Sequence, residues 1–524
     1  MSRQDEITKE RIKKIDELKK QGINPYPTRY DVKDFSSALQ EKYSKLKPEE
    51  YTKDAVKIAG RLMSFRDLGK IAFGVLQDGQ GKIQVVLQDK ETPDKTLEFC
   101  KNFIDSGDFI GVEGLIFRTK RGELSVLVKK IELLTKSLLP LPEKWHGIQD
   151  EEEKLRKRYL DILMNPEIKE RFVKKAKFWG AIRSFLNEKG FMEVETPIME
   201  NTPGGAEARP FITHHNALNT EVYLRISPEL WLKRLMVAGY NKVFEIGRVF
   251  RNEGMDAEHL QDYTHMEFYW AYADYNDGMK LVEEMYRHVA KEVFGTLKFK
   301  IKDFDVDLAK KWETYDYVDT IKKTTGINIL KTDLKAIEKK LFELKIEYDR
   351  KGFNMNRAID TLWKYCRKQI AGPGFLINVP VQMEPLAKRM EKNPELVERF
   401  QVILAGSELG KAFSELNDPI DQMKRFEHQA KLRAEGDEEA QMTDNEFVEA
   451  LKYGMPPTCG FGVSERLFSF LENKPIRECL IFPLMKPQIE SKEEIKQEEK
   501  VEIKTEKKEI KPTKTTKKAS KKGK

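Results

Sequence analysis

Residues 55–134 alternate apolar and polar positions in short runs that are separated by turn sequences. The runs IAFGVLQ and KIQVVLQ flank the turn DGQG, and the runs FIGVEGLIF and LSVLVKKIELL flank the turn TKRGE. Such alternation indicates strands with one buried face, and a short Gly-containing turn between two runs indicates a hairpin. Together with the run AVKIAGRLMSF, the pattern predicts five short strands in one small domain.

Short strands with turns at this spacing favour a small barrel of the OB type, which we assign to residues 51–140. Barrels of this type commonly bind single-stranded nucleic acid by stacking bases on aromatic rings beside basic groups. The residue types that this needs are present in and around the first two strands, at Phe65, Phe73, Arg61, Arg66 and Lys70. Packing of Phe73 in the core is the alternative interpretation.

Helical spacing of apolar residues is found on both sides of the predicted barrel. Ile7, Ile12, Ile15 and Leu18 predict an amphipathic helix that ends near Gly22, in a helical extension over residues 1–50. A Pro-containing linker covers residues 141–160. The linker is followed by a predicted long helix whose apolar positions are Phe172, Ala176, Trp179, Ile182 and Phe185.

A second and larger region spans residues 161–487. The runs KVFEIGRVF and HMEFYWAYA alternate like strands and are joined by a polar loop, which predicts an antiparallel pair. Residues 332–371 are Lys-rich and predict a helical insertion, and residues 398–418 are interpreted as a strand followed by a helix. The Gly-rich run NTPGGAEARPF lacks the spacing of a Walker-type phosphate loop. We therefore predict an α+β fold with a mostly antiparallel sheet flanked by helices.

Composition restricts the setting of the protein. The chain has 524 residues, of which 40% are hydrophobic and 35% charged. No run approaches the roughly 18 apolar residues of a membrane span, and the charged N-terminus has no apolar signal core. The four cysteines, Cys100, Cys366, Cys459 and Cys479, are scattered, which predicts reduced thiols in a cytoplasm; pairing in an oxidising setting remains the alternative.

Positive charge is concentrated at the C-terminus. Residues 488–524 contain 13 Lys and 8 Glu, and the last stretch, from Lys511, has seven Lys and no acidic residue. This composition predicts a disordered basic tail. The tail either increases solubility or binds polyanions non-specifically through its lysines.

The larger region places charged residues at predicted strand ends. Arg251 and Arg466 stand at such ends, where a fixed guanidinium suits phosphate oxygens. The carboxylates Glu229, Glu267, Glu408 and Glu415 occur on or beside strands of the same region. If these residues converge, they form a site for one anionic and one cationic ligand; taken singly, each is interpreted equally well as a surface ion pair.

Several motifs carry a resemblance to class II lysyl-tRNA synthetases, from the N-terminal helix to about residue 487. The chain is similar to that family in NPYP, GKIAFGVLQD, RYLDILMNPE, GFMEVETP, GGAEARPFITHHNAL, YLRISPELWLKRL, FRNEG, AFSELND and YGMPPT. The resemblance implies a homodimer with an OB-type anticodon domain and an antiparallel catalytic sheet. It also implies that ATP and lysine give lysyl-adenylate with Mg²⁺, and that the lysyl group then passes to lysine tRNA.

The resemblance also implies roles for individual residues. Arg251 and Arg466 are the implied catalytic residues. ATP binding is implied for Arg251, Glu253, His259, Tyr263, Glu408 and Arg466. Lysine binding is implied for Gly205, Glu229, Glu267, Tyr269, Phe413 and Glu415. Glu408 is the implied metal ligand, and the implied anticodon readers are Phe73, Gln84 and Glu123.

Four positions depart from the family pattern. Lys411 stands where the family usually has Asn, and Gln401 replaces a second Glu that would bind magnesium. Glu258 stands where Arg is common, and Glu465 takes the Asp position of the third motif. These differences leave two alternatives open: a non-catalytic tRNA-binding paralogue, and a related enzyme for aspartate or asparagine.

Overall fold

The computed structural model describes residues 3–142, 150–254, 258–350 and 353–488. The chain divides into two compact units, Met1–Gln149 and Asp150–Lys524. The division falls within the predicted linker 141–160, of which residues 143–149 lie outside the described residues. The predicted tail lies outside them too, except for Gln488.

The first unit contains a closed five-stranded barrel in the order β1-β2-β3-β5-β4. Its strands are β1 Tyr51–Asp67, β2 Ile71–Gln77, β3 Lys82–Gln88, β4 Phe109–Arg118 and β5 Leu124–Thr135. At the DGQG turn, Asp78 Oδ1 accepts hydrogen bonds from the amides of Gln80 and Gly81, which stabilises the hairpin of β2 and β3. The closed barrel confirms the fold predicted from the alternating pattern.

Among the described residues of this unit, three helices accompany the barrel: α1 Arg3–Lys20, α2 Ser36–Lys42 and α3 Asp94–Phe103. The predicted N-terminal helix is present as α1, and Ile15 and Leu18 are buried. Ile12 was expected on the same buried face but is 43% exposed. Arg11 is buried instead, because its guanidinium donates to the carbonyl oxygens of Ser106 and Ser137. Hydrogen bonds thus compensate the burial of a charge that an apolar pattern does not predict.

The second unit begins with the helices α4 Glu151–Arg156, α5 Arg158–Met164 and α6 Pro166–Glu188. Its other described helices are α7 Glu229–Val237, α8 Tyr275–Phe294, α9 Tyr317–Thr325, α10 Leu334–Glu343, α11 Met355–Arg367, α12 Pro419–Ala434, α13 Asn445–Lys452 and α14 Arg466–Leu471. Two 3₁₀ turns cover Val381–Met383 and Ile476–Cys479. The predicted insertion, residues 332–371, contains α10 and α11, which pack through buried Ile337, Leu341, Leu362 and Trp363. None of the described helices is long and apolar enough to span a membrane.

An eight-stranded sheet forms the centre of this unit, in the order β14-β15-β18-β19-β20-β11-β10-β6. Its strands are β6 Met192–Glu193, β10 Lys242–Phe250, β11 Asp262–Ala271, β14 Glu313–Asp316, β15 Gly374–Ile377, β18 Arg399–Leu404, β19 Ser407–Ser414 and β20 Thr458–Ser464. Only the outer pairs β14–β15 and β10–β6 are parallel, so the predicted antiparallel sheet is confirmed.

Smaller sheets complete the unit: β7 Met199–Glu200 with β8 Ile212–His215 and β9 Thr220–Leu224, β12 Lys298–Ile301 with β13 Phe304–Asp307, and β16 Val379–Pro380 with β17 Leu396–Val397. The prediction of a helix after the strand at residues 398–404 was wrong, because β19 follows β18 as an antiparallel partner. Alternation of side chains on β11 divides the sheet into two faces. Met266 and Phe268 pack in the core with α6 and α8, while Glu267 and Tyr269 face the opposite side.

Candidate active site

Two rows of side chains cross the sheet on the face that bears Glu267. Strand register aligns Glu267 on β11 with Gly462 on β20, Lys411 on β19 and Gln401 on β18. The second row aligns Tyr269 with Gly460, Phe413 and Arg399 in the same way. Directly opposed residues on neighbouring strands lie on the same face. Residues that are far apart in sequence therefore meet on one floor.

The glycines of β20 open a furrow between these rows. A Cβ added at Gly460 would lie 2.5 Å from the Tyr269 ring and would also clash with Glu415. A Cβ added at Gly462 would lie 2.8 Å from His265 Nε2. The missing side chains leave room for charged and aromatic groups from both adjacent strands, which explains why two glycines occur inside a central strand.

A cavity of about 460 Å³ lies over this floor. Every residue of the second unit to which the resemblance assigned ATP, lysine or a metal contributes to its wall. These residues are Gly205, Glu229, Arg251, Glu253, His259, Tyr263, Glu267, Tyr269, Gln401, Glu408, Phe413, Glu415 and Arg466. Convergence, which spacing in the sequence leaves open, is thus present in the fold.

Glu267 lies at the centre of the floor and is 5% exposed. Its carboxylate accepts hydrogen bonds from Ser227 Oγ at 2.6 Å and from Tyr269 Oη at 3.1 Å, and His265 Nε2 lies 3.3 Å away. Burial raises the pKa of Glu267, but these contacts outweigh burial and leave the pKa below its usual value. Glu267 is therefore an ionised carboxylate in a buried site, where it can bind a cation.

Glu229 begins α7 beside Gly205. A Cβ on Gly205 would lie 2.6 Å from the Glu229 Cβ, and Gly205 has φ +85°, so glycine permits both the turn and the close approach. The Glu229 carboxylate accepts from Lys233 Nζ at 2.6 Å. Lys233 also forms an ion pair with Glu415. Burial raises the pKa of Glu415 well above its usual value. The ammonium of Lys233, which Glu415 shares with Glu229, offsets only part of this effect.

Arginine side chains line another part of the cavity. Arg251 follows β10, and its Nε donates to the Ile226 carbonyl at 3.3 Å. The guanidinium carbon lies 5.6 Å from the centroid of the Tyr263 ring, which is within the range of a cation–π contact. Glu253 is two residues further on and partly buried, whereas His259 is exposed at the cavity wall.

Arg466 begins α14 and points toward Glu408 and Glu258. Its guanidinium donates to the Glu408 carbonyl at 3.4 Å and forms an ion pair with the Glu258 carboxylate. Lys302 Nζ binds the same carboxylate at 2.6 Å. Burial raises the pKa of Glu258, but the two cations outweigh it and leave the pKa below its usual value. Glu258 thus competes for the cation that the resemblance assigned to ATP.

Comparison with known proteins identifies a matching family for each of the two units. Residues 150–486 match the family of class II tRNA synthetases (D, K and N). Residues 56–134 match the OB-fold nucleic acid binding domain. The chain belongs to the class II tRNA synthetase family. It is 45% identical over 492 residues to the lysine–tRNA ligase of Thermotoga maritima, covering 93% of this chain and 98% of the relative.

Other relatives of similar length agree. The lysine–tRNA ligase of Thermosipho africanus is 44% identical over 495 residues, covering 94% of this chain and 98% of its own. The lysine–tRNA ligase of Carboxydothermus hydrogenoformans is 42% identical over 488 residues, covering 92% and 98%. The resemblance read from the motifs is therefore confirmed at the level of the family.

A class II synthetase uses ATP, typically with Mg²⁺, and the described cavity wall offers few clustered donor groups for this ion. Glu408 Oε1 accepts from Trp363 Nε1 at 2.5 Å, and Glu408 is the one carboxylate at the implied metal position. The Gln401 side-chain oxygen accepts from Arg399. Within the described ranges, no group of three or more His, Cys, Asp or Glu side chains could hold a metal by itself. The residues fit an ion carried by ATP phosphates and held by Glu408, and they do not fit a second carboxylate ligand at Gln401.

The other two departures from the synthetase pattern have structural partners. Lys411 Nζ binds Glu384 Oε2 at 2.8 Å, and Arg399 Nε lies 2.9 Å from the other oxygen of Glu384. Lys411 is therefore directed to an acidic group at the cavity wall. Glu465 is 1% exposed, forms an ion pair with Lys175, and accepts from the Thr264 amide at 3.2 Å. Glu465 thus connects β20, α6 and β11.

The synthetase's barrel candidates lie on β2, on β3 and directly before β5. Phe73 is partly buried in a small cluster with Val86, Phe117 and Leu127, separate from the barrel core. Gln84 pairs in register with Ser125, whose hydroxyl donates to the Gln84 side-chain oxygen at 2.9 Å. Glu123 is exposed and precedes β5. Phe73 therefore packs against apolar neighbours, as the core interpretation expected, but in a cluster separate from the main barrel core.

Sequence reasoning missed several residues that build the synthetase cavity. Ser227 orients Glu267, Lys233 connects Glu229 with Glu415, and Trp363 orients Glu408. The clearest sequence signal for this cavity was the G-x-G spacing of Gly460 and Gly462, because two glycines on one face of a strand indicate a close approach. Lys233 carried a weaker signal, since it is four residues after Glu229 on a predicted helix.

Proposed function

We propose that this chain is a lysine–tRNA ligase, which activates lysine with ATP to lysyl-adenylate and transfers the lysyl group to the 3′ end of lysine tRNA. The observation that carries the proposal is one cavity whose wall combines three buried carboxylates, Glu229, Glu267 and Glu415, with Arg251 and Arg466. The relatives named lysine–tRNA ligase support it, because the alignment covers nearly their whole length.

The acidic part of the cavity suits lysine. A lysine molecule brings an α-ammonium and a side-chain ammonium, and each needs a negative partner once it leaves water. Glu229 takes the α-ammonium, and Glu267 with Glu415 takes the side-chain ammonium. Tyr269 and Phe413 enclose the aliphatic chain, and Gly205 leaves room beside Glu229. A pocket for aspartate or asparagine has no use for three buried carboxylates.

The cationic part suits ATP. Arg251 binds the α-phosphate and stabilises the charge that develops when the lysine carboxylate attacks the phosphorus in line. Tyr263 and Arg466 hold the adenine from opposite faces, Glu253 reads its amino group, and His259 belongs to the loop over the nucleotide. The attacking group is already ionised, so the step needs positioning and charge stabilisation and no general base.

Magnesium would neutralise charge on the ATP phosphates when bound. Glu408 would hold it from the protein side, oriented by Trp363. Glu408 lies in hydrogen-bond contact with Arg466 through its backbone carbonyl, so the groups assigned to the ion and to the nucleotide are adjacent.

Recognition of lysine tRNA requires a second contact, and the barrel supplies it. Phe73 stacks on a splayed anticodon base, while Gln84 and Glu123 accept or donate hydrogen bonds at base edges. The match to a nucleic acid binding barrel supports this assignment. The contact between Ser125 and Gln84 fixes the amide for such readout.

The protein acts as a homodimer in a cytoplasm. Support for the dimer comes from apolar side chains that stay exposed around the edge strand β6 and the sheet β7-β9-β8: Met192, Ile198, Met199, Ile212 and Leu218 are between 45% and 69% exposed. A second copy would remove this surface from water. Support for the compartment comes from the four cysteines, which are buried free thiols.

Amino-acid-dependent exchange between ATP and pyrophosphate tests the proposal. We expect exchange with lysine alone when all twenty amino acids are compared at saturating Mg²⁺. Exchange with aspartate or asparagine would identify the chain as a synthetase for that amino acid. Absence of exchange with every amino acid, in a protein that still binds lysine tRNA, would support a non-catalytic paralogue, which Gln401 and the Glu258–Arg466 ion pair make the second candidate.

A further inference from the structure

Lys233 is a fully buried lysine next to two carboxylates of the proposed amino-acid pocket, and the proposed reaction gives it no role. Its side chain is 0% exposed, although lysine is among the residues that are seldom buried. Its ammonium binds Glu229 Oε1 at 2.6 Å and forms an ion pair with Glu415. The rings of Phe413 and Phe447 lie 5.2 Å and 5.8 Å from the nitrogen.

Both carboxylates that Lys233 connects also line the cavity. Apart from Lys233, neither oxygen of Glu415 has a hydrogen-bond donor among the described residues. A buried carboxylate with so few partners is costly unless a further cation arrives. The incomplete set of contacts on Glu415 therefore points to a cationic ligand on the side of Glu415 that Lys233 leaves open.

Charge matching follows from a simple count. Glu229, Glu267 and Glu415 bring three negative charges when ionised, and Lys233 cancels one of them. Two negative charges then remain, which equals the number of ammonium groups on lysine. Burial raises the pKa of Glu229 and of Glu415, and an ammonium group of the ligand beside each carboxylate favours its ionised form. Without Lys233, the three buried carboxylates would outnumber the two ammonium groups of lysine by one.

We propose that Lys233 is a positioning and specificity-determining residue for the amino acid, because it holds Glu229 and Glu415 in place and offsets one of the three buried carboxylates, which leaves two for a diammonium ligand. This inference rests on the proposed function. Lys233 is not a catalytic residue in this account, since it acts on the substrate only through the two carboxylates.

The groups that face Lys233 predict a distinctive dependence on pH. Glu229 from α7 and Glu415 after β19 contact Lys233 directly, whereas Glu267 from β11 and Lys411 from β19 act electrostatically on Glu229. Burial lowers the pKa of Lys233, but the two carboxylates outweigh burial and raise it, so the ammonium is charged. Removal of this charge raises the pKa of both carboxyl groups, because burial is then no longer offset.

Lys233→Met tests the inference, since it keeps an unbranched chain and removes the charge. In lysine-dependent exchange between ATP and pyrophosphate, we expect the KM for lysine to rise about tenfold or more, while the KM for ATP changes less than about twofold. We also expect the KM for lysine to fall more steeply between pH 6 and pH 9 than in the unchanged protein, because the carboxyl groups ionise at higher pH. Lys233→Arg keeps the charge and should retain most of the affinity for lysine.

Lys136→Met is the matched control. Lys136 is likewise 0% exposed and lies between two carboxylates, Asp105 and Asp108, but it belongs to the barrel unit. Lys136→Met removes buried ion pairs but no group of the proposed amino-acid pocket. Both KM values in the exchange reaction should therefore stay unchanged. If Lys233→Met fails to fold, the KM for lysine and the pH profile of Lys233→Arg test the inference in its place.

Two outcomes would overturn the inference. If Lys233→Met lowers kcat alone, or raises both KM values equally, and leaves the pH profile unaltered, Lys233 is a purely structural residue. A Lys233→Arg protein with the same defect as Lys233→Met would exclude a role for the charge. Absence of lysine-dependent exchange in the unchanged protein would instead count against the proposed function.

Discussion

Glu258 forms an ion pair with Arg466, so a carboxylate of the loop after β10 occupies the guanidinium that we propose for ATP binding. The Glu258 side chain is 29% exposed and is also bound by Lys302. Its negative charge would lie beside the phosphates of ATP. If Arg466 binds ATP as proposed, this ion pair competes with the nucleotide for the guanidinium.

Glu258→Gln should strengthen ATP binding. A neutral amide no longer competes for Arg466 or repels a phosphate, and a partly exposed pair of this kind is worth about 1 kcal/mol or less. We expect the KM for ATP to fall by roughly two- to fivefold in the exchange reaction, with the KM for lysine unchanged. Glu258→Asp keeps the charge and serves as the control. A higher KM for ATP in Glu258→Gln would contradict the competition.

Gln401→Glu should lower the Mg²⁺ requirement. The substitution restores a carboxylate at the implied second ligand position, and carboxylate oxygens bind Mg²⁺ more strongly than an amide oxygen. The half-saturating Mg²⁺ concentration, measured at fixed ATP, should fall several-fold. Gln401→Met, which removes the oxygen, should not lower it. An unchanged Mg²⁺ dependence in Gln401→Glu would mean that this side chain does not face the ion.

Gly460→Ala should impair lysine binding selectively. The added methyl group would contact the Tyr269 ring and Glu415 too closely, and such overpacking costs about 1–3 kcal/mol. The KM for lysine should rise roughly tenfold, with a smaller change for ATP. Gly79→Ala is a suitable control, because a Cβ on Gly79 meets nothing within 4 Å. Equal effects of the two substitutions would argue against a close approach at Gly460.

Glu200 should make stability depend on pH. The residue is 5% exposed, and burial raises its pKa to about 8 from a usual value of 4.5. The folded state then holds a proton that the unfolded state has lost, so this contribution to stability is complete below pH 4.5 and is lost as the pH rises toward 8. Glu200→Gln should raise the melting temperature relative to the unchanged protein, and the difference should grow from pH 5 to pH 8. A constant difference would refute the raised pKa.

The C-terminal lysines carry a prediction that comes from the sequence alone. Truncation after Pro487 should weaken tRNA binding more at low salt than at high salt, because lysines that neutralise phosphates release counterions. Binding titrations at several salt concentrations measure this effect. Equal loss of affinity at every concentration would assign the lysines a role other than charge neutralisation.

The alternation of apolar and polar residues was sufficient to predict the structure where interactions between neighbouring residues decide it. The DGQG and TKRGE turns between alternating runs predict two hairpins, and both are present in the barrel. The same reasoning was wrong for residues 407–414, which form β19. Their small and polar residues suit a helix or a strand equally, and pairing with both β18 and β20 decided for the strand.

The sequence by itself determined the two-unit order, the barrel, the antiparallel sheet and, through its motifs, the family and the residues to examine. Only the tertiary structure placed Glu267, Gly462, Lys411 and Gln401 in one row and brought Lys233 between Glu229 and Glu415. The physical reason is that local propensities act over a few neighbouring residues. Buried charges, by contrast, are stable only with partners that arrive from distant strands, so their pairing depends on the register of the whole sheet.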